Sequence, residues 1–248
     1  MKRFWMRALL CFALSAALLK GCVLSPSSQP AESPTDPLTG QELVWPGQRP
    51  VAITIDNAAA STTQWGLSTA SLVLEALTAQ QQATRLCLVY PAVGAVPQVG
   101  PVSAGQDLYW RLLVGQQVLP VQRGGGQFDQ NYLDYYSLRA VDALEVGTNA
   151  FSCETNWQNV PLWHTSGAAL SGVLGSLNIS PALTESRVTD TSSSSSDSES
   201  GTLLSVPGLL PMQESGKLPD ADASDAMSVR VQFDAQNATG FTYDADTK

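Results

Sequence analysis

Two short runs limit what this chain can fold into more than anything else in it. VAITI (Val51–Ile55) and TRLCLVY (Thr84–Tyr90) are apolar, rich in β-branched residues and nearly unbroken. Such runs mark strands buried inside a sheet. Between them, LSTASLVLEAL places apolar residues at 67, 70, 74 and 77. That spacing predicts a helix over 67–77 packed on the two strands, with Ser68 placed to cap it. The alternation continues. A helix is expected from about Gln106 to Val114, then a weaker strand over Val118–Gln122, whose Pro120 suits a sheet edge. Gly124–Gly126 breaks the chain before an aromatic-rich helix containing Phe128, Tyr132, Tyr135 and Tyr136. Leu170, Val173, Leu174 and Leu177 share one face of a further helix, which Ser166 can cap. SVRVQF (Ser228–Phe233) alternates as a strand, and Ala238–Tyr243 can return as its hairpin partner. The expected fold is therefore mixed α/β: a sheet with flanking helices, plus a C-terminal β-hairpin segment.

The first 22 residues carry a different kind of information. Lys2, Arg3 and Arg7 precede a 12-residue apolar run, Ala8–Leu19. That is the length of a signal-peptide core and too short to cross ~30 Å of hydrocarbon. Leu19-Lys20-Gly21-Cys22 follows, similar to a bacterial lipobox, in which the Cys is lipidated and becomes the new N-terminus. Lys20 departs from that pattern, and an ordinary secretory signal with an incidental Cys22 is the competing reading. SPSSQPAESPT (Ser25–Thr35) is too polar and Pro-rich to pack and reads as a tether. The expected organisation is a signal peptide (1–21), a tether (22–40), an α/β domain (41–180), an acidic Ser-rich insertion (181–225) and the start of a β-rich segment (226–248).

Charge narrows the partners. The chain has 13 Lys+Arg against 22 Asp+Glu. Four of the cations precede Cys22, so a chain processed there would carry 9 against 22, net −13. Such a surface repels phosphate backbones, which excludes nucleic acid, and anionic headgroups would not hold it by charge. The expected contact with the membrane is through the lipid anchor, with a cell-wall or envelope protein as possible partner. Cys87 and Cys153 could pair outside the cell, or remain two separate buried thiols. No CxxC spacing and a single His offer no structural metal pattern, and no cofactor motif is present.

Several segments, taken in order, carry a resemblance. DPLTG (Asp36–Gly40), RPVAITIDN (Arg49–Asn57), GLSTASLVLE (Gly66–Glu75), ATRLCLVY (Ala83–Tyr90), VGPV (Val99–Val102), Gly124-Gly125, PLWHTS (Pro161–Ser166) and FTYD (Phe241–Asp244) resemble the YerB-like family. These are bacterial surface lipoproteins built on a domain of unknown function, and residues 41–180 correspond to its N-terminal domain. The chain departs from the family at Ser103-Ala104-Gly105-Gln106, where an Arg-Ser-Ala-Arg run is expected. It departs again at Gln122-Arg123, where a His commonly precedes the Gly-Gly, and at Pro161-Leu162, in place of a His-Asn pair. The resemblance thus implies a cleft that has lost several of its charged groups. Asp56, Asn57, Ser68, Glu75, Thr84 and Arg85 are retained.

Among these, Asp56, Asn57, Glu75 and Arg85 are the candidate ligand-binding residues. Asp56 and Asn57 end the first strand, where open α/β sheets place ligand groups. Asp56 with Glu75 could serve as the paired carboxylates of glycoside cleavage. Alternatively, Asp56 caps a turn and Glu75 pairs with Arg85. Arg123 beside three glycines lacks the GxxxxGK[ST] pattern and reads as a turn. His164 has no nucleophile or GxSxG elbow near it and reads as a packed histidine. Tyr132, Tyr135, Tyr136 and Trp157 could stack on sugars, or could form a core edge. The expected function is a non-catalytic binding module at the cell envelope. The alternative is a glycan-acting cell-wall enzyme using Asp56 or Glu75.

Overall fold

The computed structural model describes residues 35–36, 38–58, 64–78, 83–184 and 227–243. The leader, Cys22, most of the tether and the Ser-rich stretch lie outside these residues. The two runs that lead the sequence form β1 (Val51–Asp56) and β3 (Thr84–Tyr90), paired antiparallel along their full length from Val51–Tyr90 to Asp56–Arg85. They lie inside a five-stranded mixed sheet with β2 (Leu72–Leu77), β4 (Leu119–Gln122) and β5 (Val141–Asp142), in the order β2-β3-β1-β4-β5. β4 runs parallel to β1, and β5 parallel to β4.

The helix expected over 67–77 is absent. Gly66, at φ 88, starts a single 3-10 turn over Leu67–Thr69, and Ala70 then returns to an extended conformation. From Leu72 the chain is β2, paired in register with all six residues of β3 from Thr84 to Val89. The spacing misleads because β2 is an edge strand whose two faces are both half-buried, so it shows no alternation. A ladder with β3 outweighs the weak local preference for helix.

Pro120 does not mark an edge. β4 is interior and buried throughout. Leu119 N–H bonds Pro50 O (2.8 Å), so the Pro120 nitrogen faces the other side, where β5 begins opposite Val121. The missing donor falls one residue short of the place where a partner would need it.

Helices cover both faces. α1 (Asp107–Leu113) and α2 (Gln127–Tyr135) lie on one, where Tyr109, Trp110, Leu113, Tyr132 and Leu133 pack with Ala52, Cys87 and Val89. α4 (Gly167–Leu174), following the short α3 (Ala143–Val146), packs Leu170, Val173 and Leu174 with Ile53, Ile55, Leu88 and Val121 on the other. Ser166 Oγ caps α4 by accepting from Ala169 N–H. This double cover is why the central strands read as unbroken apolar runs. Two hairpins complete the fold: β6 (Ser152–Thr155) with β7 (Pro161–His164), and the C-terminal β8 (Ser228–Gln232) with β9 (Ala238–Thr242).

Two details revise the sequence reading. Asp36–Gly40 is not tether: Leu38 is buried, its N–H bonds Asp36 Oδ1 (2.7 Å), and Gly40 N–H bonds Asp36 O (2.7 Å). The folded body therefore starts before residue 41. The cysteines are separate and free, but only Cys87 is buried; Cys153 is exposed on β6. Arg49, unremarked in the sequence, donates to Gln117 O (2.8 Å), Val118 O (2.9 Å) and Ser180 O (3.1 Å). Its fork ties the entry of β1 to the entry of β4.

Candidate functional site

In parallel sheets the carboxyl ends of neighbouring strands leave a crevice that commonly receives ligands. β1 and β4 part after Ile53–Val121, and the gap is filled by the chain itself. Ser103 N–H bonds Thr54 O (2.9 Å), Thr54 Oγ1 donates to Ser103 O (2.8 Å), and Arg123 N–H bonds the same carbonyl (2.8 Å). Pro101 O accepts Asp56 N–H (2.9 Å) from the tip of β1.

Beneath this plug lies a polar network that sequence reasoning missed. Asp129 on α2 is only 2% exposed, and Gln122 at the end of β4 only 1%. Trp110 Nε1 donates to Asp129 Oδ1 (2.5 Å), and Gln122 Nε2 to Asp129 Oδ2 (3.0 Å). Gln122 Nε2 also lies 3.2 Å from Asp142 Oδ2, and Asp142 Oδ1 accepts the N–H groups of Gly124 and Leu144 (2.8 Å each). Burial pushes the Asp129 carboxyl above the ordinary carboxylate range, and the bonds from Trp110 and Gln122 pull it part of the way back. Gly105 and Gly125 bridge directly over it. A Cβ on Gly105 would sit 1.9 Å from Gln122 Oε1, and one on Gly125 would sit 1.9 Å from Asp129 Oδ2. Only glycine lets the two backbones approach so closely. The signals were Trp110 and the two glycines that pack over Asp129; the Gly124–Gly126 run was read as a chain breaker.

The predicted residues lie across the sheet, on the β1-β3-β2 side of the plug, and split between its faces. Asn57 Nδ2 donates to Thr84 Oγ1 (2.7 Å) and Glu75 Oε1 (3.1 Å), and Asn57 Oδ1 accepts from Gln64 Nε2 (2.7 Å). Thr239 Oγ1 of β9 also donates to Glu75 Oε1 (2.6 Å). Asp56 and Arg85 stand opposite each other in register with Ala76, on the face away from Glu75. Asp56 and Glu75 therefore do not converge. The pairing of Glu75 with Arg85 is likewise replaced, since Asn57 and Thr239 hold Glu75 instead. Asp56 Oδ1 does accept Ala58 N–H (3.2 Å), as a turn cap would. Tyr109 Oη donates to Arg85 O, so the backbone of that residue is anchored by α1.

Other residues singled out by sequence have structural neighbours. Arg123 lies over the Trp163 ring (5.2 Å), and His164 packs edge-on to Trp65 (5.3 Å) with Nε2 3.4 Å from Glu154 Oε1. Beside Gln122 and Asp142 an open cavity of about 580 Å³ is lined also by Gln130, Asp134, Arg139 and Glu145. Among the described residues no cluster of His, Cys, Asp and Glu could hold a metal ion.

The fold and site thus define an α/β domain with a helix-covered mixed sheet and a self-filled crevice at its carboxyl edge. Residues 38–175 match the family described as "Protein of unknown function (DUF3048) N-terminal domain", and the chain belongs to that family. Its fold is similar to the crystal structure of the YerB protein from Bacillus subtilis, with 23% identity and a TM-score of 0.52 over 60% of this chain. The match spans about half, 51%, of that protein's length. No curated protein matches. Ser103 to Gln106, where the resemblance implied an Arg-Ser-Ala-Arg run, fall on the plug and on the cover over Asp129.

Proposed function

We propose that this chain is a lipid-anchored protein of the bacterial cell surface, held through Cys22, whose domain binds an envelope partner without transforming it. One observation carries the non-catalytic half of this reading. The crevice is closed by Val102–Ser103, and the carboxylates and amides around it bond mainly to one another. The alternative, a glycan-acting enzyme, requires two carboxylates flanking one bond. Asp56 and Glu75 point to opposite faces of the sheet, which counts against it. The anchoring half rests on the apolar run ending at Leu19-Lys20-Gly21-Cys22 and on the Pro/Ser-rich stretch beyond.

Two measurements test it. Cys22→Ala should move the protein from the membrane fraction to the soluble envelope fraction; retention in membranes would remove the anchor. The purified full chain should release no reducing ends from peptidoglycan glycan. Release that is lost in Asp56→Ala or Glu75→Ala would establish the enzyme instead.

A further inference from the structure

Of the aromatic residues on and beside α2, Tyr132 joins the core edge and the others do not. Tyr132 is buried, but Phe128 is 77% and Tyr135 81% exposed, and Tyr136 is also open to solvent. Phe128 and Tyr135 are seven residues apart, which puts them on the same side of the helix about 10 Å from each other. Their support is built. Arg111 of α1 lies over the Tyr132 ring (4.9 Å), Tyr136 packs on Tyr132 (4.6 Å), and Tyr135 packs edge-on to Tyr136 (4.9 Å). The outermost ring thus rests on a braced stack. Between Phe128 and Tyr135, Asn131 is exposed, and its Oδ1 accepts from Gln127 Nε2 (2.7 Å), which leaves Asn131 Nδ2 and Gln127 Oε1 for outside partners.

We propose that this ridge of α2 binds an uncharged glycan, with Phe128 and Tyr135 stacking on two sugar rings and the Asn131–Gln127 pair bonding hydroxyl or acetamido groups between them. Directly linked pyranose rings are spaced by only about half of that 10 Å helix separation, so Phe128 and Tyr135 would meet alternate sugars of one chain, which present the same face in a β-1,4-linked glycan. A pyranose presents an apolar C–H face to an aromatic ring and polar groups at its rim, which is the pattern of this ridge. The chain's negative charge selects against phosphate-bearing wall polymers and anionic lipid, so the glycan that the ridge accepts is an uncharged one. The proposal deepens the envelope-binding reading and rests on it for the source of the glycan.

The test uses the full chain purified in detergent and short β-1,4-linked chito-oligosaccharides, followed by titration calorimetry. Protease-treated peptidoglycan sacculi provide the insoluble probe in a pull-down. The wild type should bind both. Phe128→Ala and Tyr135→Ala should each weaken oligosaccharide binding roughly tenfold, while Trp157→Ala, an equally exposed ring on the β6–β7 turn, should leave it unchanged. All three side chains are exposed, so unchanged circular dichroism is expected throughout. No binding by the wild type, or equal loss in Trp157→Ala, would overturn the proposal. Retention on untreated envelope that protease treatment abolishes would also overturn it, while leaving the binding-module reading intact. Shortened oligosaccharides would overturn that reading instead.

Discussion

Asp129 and Glu75 are both carboxylates held by side-chain donors, one on the helix beside β4 and one on the edge strand β2, yet their settings are opposite. Asp129 is sealed under two glycines, and every group bonded to it is buried or nearly so. Glu75 sits half-buried on the edge strand, among Asn57, Thr84 and Thr239. Water can replace any partner that Glu75 loses, whereas nothing can replace one that Asp129 loses. The same bond count therefore has unequal consequences, and burial decides which of the two is intolerant of change.

That contrast can be broken in three places. The largest effect is expected at Gly105→Ala, whose new Cβ would lie 1.9 Å from Gln122 Oε1 and 2.6 Å from Asp129 Oδ1. Overpacking there should cost about 3 kcal/mol, lowering the melting temperature by roughly 6–12 °C. An unchanged melting curve would mean that the two backbones do not meet over Asp129.

Next is Asp129 itself. Asp129→Ala orphans Trp110 Nε1 and should cost about 2 kcal/mol. Asp129→Asn should cost much less, since its amide can donate to Gln122 Oε1 once that side chain turns over. The two variants also separate on pH. Because the folded-state pKa of Asp129 is raised, the folded state holds this proton more tightly than the unfolded state. Its contribution favours folding below the unfolded carboxylate value of about 3.9 and is lost as pH rises through the higher folded value. Wild type should thus lose stability relative to Asp129→Asn as pH increases from about 4, in urea titrations. A constant gap between the two would show that Asp129 titrates normally.

The smallest effect belongs to Glu75→Gln. Oε1 can still accept from Asn57 and Thr239, so the change in stability should stay within about 0.5 kcal/mol. A loss comparable to that of Asp129→Ala would erase the distinction between the two carboxylates.

Sequence reading found Asp56, Asn57 and Glu75 and missed Asp129, and the reason is physical. β1 and β3 were legible because burial on both faces leaves a run of apolar residues that little else produces. Asp56, Asn57 and Glu75 were legible because they interrupt or end those runs. Asp129 was not, since a carboxylate in the first turn of an amphipathic helix looks like any solvent-facing acid. What makes it internal is a tryptophan 19 residues earlier and two glycines brought together by the splay of β1 from β4. β2 was misread for a related reason: its pairing with β3, not its own residues, decides that it is a strand.

The edge position of β2 has one more consequence, which concerns encounters between molecules. Its six residues are LVLEAL, so Glu75 is the single charge on a strand with a free backbone edge among the described residues. Such edges template pairing with other chains unless a charge discourages it. Copies tethered to one membrane, as proposed above, would be concentrated in two dimensions, where neighbours meet repeatedly and at similar heights. Under those conditions the Glu75 carboxylate would discourage sheet-to-sheet pairing between copies, an effect that leaves no trace in the unfolding free energy of an isolated copy.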